Sequence, residues 1–193
     1  MTPAARVPAK TARGDRYVAW LRAINVGGRI VKMDRLRSVF ESLGLSNVET
    51  FIASGNVIFE ARATTARELE RRIEAGLAKA LGYPVDVFLR STREVAEIAT
   101  HVPFADREHE AGASMYVSFF RDQPPPDAKR KVIALRNDLD DFDVHRREVF
   151  WLRRYAKARA GEPWPALEKI LAGPATMRNV TTIRRIAARY CAD

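Results

Sequence analysis

The chain of 193 residues can form one large domain or two compact halves. Its single cysteine, Cys191, excludes an intrachain disulfide and any multi-cysteine metal centre, and fits a reducing, cytoplasmic setting. No apolar run approaches the roughly 20 residues of a membrane-spanning helix, which excludes that class of membrane protein.

The net charge of +9 is uneven. Residues 1–16 hold four basic residues and one acid, residues 17–145 hold 18 and 19, and residues 146–193 hold 11 and four. The body is near neutral, so the excess at the ends points either to an anionic partner or to an arginine-rich solvated surface.

In chain order, residues 1–15 are rich in alanine, proline and positive charge and read as a disordered basic tail. A strand is predicted over Arg16–Ala23. The turn INVGG leads from it to a helix over Met33–Leu43, whose apolar residues Leu36, Val39, Phe40 and Leu43 share one face, with Gly44 behind it as a stop. Strands over Val48–Ala53 and Val57–Ala61 are separated only by Ser54-Gly55-Asn56, a hairpin spacing. Thr65 and Glu68 form a capping-box pattern ahead of a helix with Leu69, Ile73, Leu77 and Leu81 on one face. Gly82 ends that helix, and a strand over Val85–Leu89 completes a βαββαβ order.

The remainder nearly repeats this order. Ser91 and Glu94 cap a short helix to Thr100, and a strand follows over Ser114–Phe120. Pro124-Pro125-Pro126 opens a helix carrying Val132 and Leu135. Strands over Phe142–His145 and Glu148–Leu152 come next, then a helix around Ala166–Leu171 behind Pro165. A short strand near Ala175–Met177 precedes a final helix from Val180 to about Tyr190, with Asn179 as N-cap. The expected fold is therefore α+β, with two ferredoxin-like subdomains in tandem, residues 16–90 and 91–193, the second carrying the terminal helix.

This topology sets the first strand beside the third, so the turn around Asn25, Gly27 and Gly28 should meet the turn at Ser54, Gly55 and Asn56. Glycine amides there could receive an anion, with Arg22, Lys32 or Arg178 supplying positive charge and Asn25 and Asn56 orienting it by hydrogen bonds. The same residues also fit plain turns and helix capping. Phosphate-loop, dinucleotide, zinc-protease and nucleophile-elbow motifs are missing, and no catalytic residue is assigned. His101, His109 and His145 lack the spacing of a ligand pair, and Asp138, Asp140, Asp141 and Asp143 lack a calcium-loop pattern. Neither a metal nor a cofactor is implied.

Three segments, WLRAINVGG, TFIASGNVIFE and TMRNVTTIRRI, together resemble the bacterial domain of unknown function 1697 family, from residue 17 to residue 186. The family pattern carries glycine where this chain has Ala23. The resemblance implies a tandem alpha-beta plait and supplies no activity. Its motif positions are Arg22, Asn25, Gly27, Gly28, Ser54, Gly55, Asn56, Arg178, Asn179 and Thr182.

Three readings of function stay open: a site for a small anionic ligand at the NVGG–SGN edge, a nucleic-acid-binding module using the basic C-terminal region, or an interaction protein without a ligand site. Whether the protein is an enzyme, and its oligomeric state, are not written in the sequence, and no membrane partner is expected. The run of aromatic residues that marks RNA-binding sheets is missing.

Overall fold

A computed structural model of the chain describes residues 14–25, 30–62, 65–105, 111–154, 164–171 and 173–191. All but the last two residues of the expected basic tail lie outside these, as do Gly27, Gly28 and His109.

The first half runs β1 (Asp15–Leu21), α1 (Met33–Ser42), β2 (Ser46–Thr50), β3 (Asn56–Ala61), α2 (Ala66–Leu81) and β4 (Val87–Ser91). The second runs α3 (Thr92–Thr100), β5 (Ala113–Phe119), α4 (Pro126–Ile133), β6 (Asp140–His145), β7 (Glu148–Arg154), α5 (Trp164–Leu171), β8 (Thr176–Asn179) and α6 (Val180–Tyr190). The capping signals act as read. Thr65 and Ser91 each accept a hydrogen bond from the backbone N–H of the glutamate three residues on, and each glutamate accepts one in return. The side chain of Asn179 accepts from the N–H of Thr181 at 2.8 Å.

Strand boundaries differ from the expectation where the backbone turns left-handed. β1 stops at Leu21 because Ala23 has φ +60°, and β2 stops at Thr50 because Ile52 has φ +52°. The connection between β2 and β3 is therefore residues 51–55, and Asn56 opens β3 rather than belonging to the turn.

Two four-stranded antiparallel sheets result, ordered β2-β3-β1-β4 and β6-β7-β5-β8. In both, the first strand lies between the third and the fourth, so β1 and β2 never pair.

The alternation of side chains along β1 divides the core. Ala19 and Leu21 face α1 and α2, joining Leu36, Phe40, Ile73 and Leu77 in one apolar layer. Val18 and Trp20 face the second sheet and meet Val117, Phe119 and Phe150, with α3 and α6 closing the sides. The outer face of the second sheet is covered by Val132 of α4 and Leu167 of α5. Trp20 and Phe119 stack at the centre, ring centroids 4.6 Å apart and planes 14° apart. Full burial of each such ring is worth about 2–3 kcal/mol.

Ion pairs join the halves around this stack. Arg90 donates to Glu148 at 2.5 Å, with side chains only 1% and 3% exposed, and also to the Phe120 carbonyl at 2.8 Å. Arg121 of the second half bridges Glu74 and Asp86 of the first, and within the second half Arg147 pairs with Glu94 at 2.6 Å. The sheet faces are thus turned towards each other, and the aromatic residues between them are closed to a nucleic-acid base.

Candidate functional site

The three sequence motifs meet at Arg178. Strand alternation on β8 points Thr176 and Arg178 at the first sheet, their register partners Phe119 and Val117 facing the same way. A guanidinium has five N–H donors in a fixed fork. Here Nε donates to Asn56 Oδ1 at 2.6 Å, Nη1 to Thr176 Oγ1 at 2.8 Å and to the Met177 carbonyl at 2.7 Å, and Nη2 to the carbonyls of Leu21 at 2.8 Å and Ser54 at 2.7 Å. All five donors are used, and every acceptor is neutral. No carboxylate among the described residues pairs with it. Burial draws its pKa down to about 10, which leaves it charged at neutral pH.

Asn56 is fully buried, and its amide is committed on both sides. It accepts from Arg178 and donates to the Phe51 carbonyl and to Ser54 Oγ, each at 2.9 Å. Asn25 donates to the Ala53 carbonyl at 2.8 Å and accepts from the Val31 N–H at 2.6 Å, pinning the loop after β1 to the turn after β2. Both asparagines thus brace the backbone.

The backbone here is unusual for its residue types. Ala23, Asn25 and Ile52 have φ of +60°, +56° and +52°. Asparagine tolerates this region; alanine and β-branched isoleucine adopt it at a cost. At Ala23, where the family pattern has glycine, the requirement is the positive φ. Gly55 has φ +75°, and a Cβ there would lie 3.0 Å and 3.1 Å from the Cβ atoms of Ile24 and Leu21, so only glycine fits.

Beside this knot lies an open cleft of about 500 Å³, lined by Ala23, Ile52, Ser54, Arg178, Asn179 and Thr182 among others. Asn179 and Thr182 bring the first turn of α6 to its wall. Of the other expected site residues, Arg22 pairs with Asp86 at 3.3 Å and is not among the lining residues, and Lys32 is exposed ahead of α1. Thr176 was not singled out from the sequence; its two-residue spacing from Arg178 on a strand was the signal that could have found it.

The described arginines of the basic C-terminal region are tied down. Arg146 pairs with Glu97, Arg153 lies 3.7 Å from Asp140, Arg154 pairs with Asp141 at 2.8 Å, and Arg189 pairs with Glu49 at 3.2 Å. Arg184 donates to the Ala99 carbonyl at 3.4 Å, and Arg185 lies over the Phe51 ring at 5.2 Å. His101 bonds Asp143 at 3.0 Å and stacks on His145 with centroids 4.4 Å apart. The described residues hold no group of three or more His, Cys, Asp or Glu side chains that could bind a metal ion, and no described helix is long and apolar enough to cross a membrane.

Residues 15–150 match the family described as protein of unknown function (DUF1697). The chain belongs to the DUF1697 family. The matched span holds the first two motifs, at Asn25 and Ser54–Asn56, and ends before Arg178. Among solved structures, the chain is similar to the conserved bacterial protein SP0830 from Streptococcus pneumoniae, at 22% identity and TM-score 0.66, over 92% of this chain and 98% of that one. That likeness supports the fold of this DUF1697 protein and carries no activity with it. Among curated proteins none matches.

Proposed function

We propose that this DUF1697 protein binds a small anion in the cleft beside Arg178. The observation that carries the reading is a charged, largely buried guanidinium beside an open cleft, with no carboxylate partner among the described residues. Its donors are committed to the fold, so it acts on a ligand by charge at short range in a poorly solvated setting. Ser54, Asn179 and Thr182 are the polar contacts, and the start of α6 adds its dipole. Gly55, Asn56 and Asn25 hold the frame. Gly27 and Gly28, which lie outside the described residues, are assigned to the same loop by sequence alone.

The nucleic-acid reading has less support, because the sheet faces are closed and the described C-terminal arginines have intramolecular partners. In the same reading the halves are ferredoxin-like subdomains, 16–90 and 91–193, supported by the identical strand order of the two sheets. A reducing cytoplasmic setting suits the lone thiol.

The test is an NMR titration with sodium acetate replacing chloride at constant ionic strength. Saturable shifts of the Thr182 and Asn179 amides are expected, and Thr182→Glu, which sets a negative charge on the cleft wall, should abolish them. Amides that do not move would overturn the proposal.

A further inference from the structure

Among the described residues, two of the three exposed large apolar side chains lie on the segments that Asn25 ties together. Ile30 is 87% exposed and Ile52 is 46% exposed. Ile30 precedes Val31, whose N–H bonds Asn25 Oδ1, and Ile52 precedes Ala53, whose carbonyl receives Asn25 Nδ2. One asparagine thus ties together the two segments that carry these isoleucines, and Ile52 lines the cleft.

Ile52 is costly where it stands. A β-branched side chain at φ +52° is strained, and leaving it half in water forgoes the benefit of its burial. Glycine or asparagine would suit that backbone better. On the cleft wall, Ile52 offers an apolar ligand group a surface to bury against.

At the polar end, the charge to be matched is single. Arg178 offers one positive charge and no remaining N–H fork, so bidentate recognition of carboxylate and phosphate alike is unavailable and a single negative charge is the better electrostatic match.

We infer that the ligand is an organic monoanion with an apolar body, its carboxylate at Ser54 and Thr182 and its hydrocarbon part over Ile52. This rests on the anion-site reading above and narrows it to a chemical class.

The probes are acetate, 4-methylpentanoate and inorganic phosphate at fixed ionic strength, followed at the Thr182 amide and at the methyl groups of Ile52. 4-Methylpentanoate should bind about tenfold tighter than acetate or more, from the extra carbon it buries, and phosphate should bind more weakly than 4-methylpentanoate. Ile52→Asn should bring 4-methylpentanoate down to about the affinity of acetate for the same variant, and raise the melting temperature. Acetate equal to 4-methylpentanoate, or phosphate tightest, with Thr182 still responding, would overturn this inference and leave the anion site standing. No response to any probe would overturn both.

Discussion

Asn56 and Arg178 lie 122 positions apart in the chain and share a 2.6 Å hydrogen bond from Nε to Oδ1. Asn56 opens β3 in the first sheet, and Arg178 sits on β8 at the edge of the second. Through the same guanidinium the carbonyls of Leu21 and Ser54 are satisfied, so the end of β1, the turn before β3 and β8 are held by one side chain. A charge has been placed inside the protein to join neutral groups of two sheets, and a cleft opens beside it.

Removing that side chain should cost much more than removing a surface arginine. Arg178→Ala leaves buried carbonyls and Asn56 without a donor, and the expected loss is about 3 kcal/mol in urea denaturation. Arg178→Lys should recover little, because an ammonium has three donors and no planar fork. Asn56→Ala should cost about 2 kcal/mol, and the double variant less than the sum of the two, because both remove the same bond. A loss below about 0.5 kcal/mol for Arg178→Ala would mean that the knot contributes nothing to stability.

Ala23 and Gly55 should respond in opposite directions to exchange. Ala23→Gly relieves a positive φ and should stabilise by up to about 1 kcal/mol. Gly55→Ala meets both the positive φ and the Cβ atoms of Leu21 and Ile24, and should cost about 2 kcal/mol or more. Thermal melts of the two variants check this, and the same sign for both would contradict it.

Arg90 and Glu148 form the buried ion pair between the sheets. Either single change, Arg90→Met or Glu148→Leu, strands a buried charge and should cost about 3–5 kcal/mol. The double variant Arg90→Met/Glu148→Leu should recover most of that loss, because an apolar pair of similar volume avoids the desolvation of both ions. A double variant no more stable than the singles would show that the bond to the Phe120 carbonyl, rather than the charge pair, dominates.

Cys191 should be slow to react. Burial pushes its thiol up to about 11. At pH 8 its reaction with a disulfide reagent should therefore be at least about tenfold slower than in the unfolded chain, whose thiol ionises near 8.5. Between those values the unfolded state releases a proton that the folded state keeps, so this group makes stability fall as pH rises above about 8.5. Cys191→Ser should flatten that part of the profile. A native rate equal to the unfolded one would show the thiol to be exposed.

Much of the fold was legible because local chemistry and the global pattern agree. The capping boxes at Thr65 and Ser91 mark helix starts, and the stripe Leu69, Ile73, Leu77 marks a buried face. Two features of the site were not legible. Left-handed backbone at Ala23 and Ile52 has no signal in the residue itself, so β1 and β2 end earlier than their apolar runs suggest. The burial of Arg178 depends on one sheet packing against the other, which no local pattern reports. The motif R-N ahead of a helix fits a surface arginine beside an N-cap equally well, and only the N-cap follows from spacing.

The most direct test of an anion site beside Arg178 is a crystal soaked in sodium iodide, with anomalous scattering locating the ion. Iodide should occupy the cleft between Ser54, Arg178 and Thr182, with the guanidinium still donating to the carbonyls of Leu21 and Ser54. An empty cleft while iodide fills other surface sites at the same concentration, or an ion reached only by an Arg178 that has left those carbonyls, would contradict it.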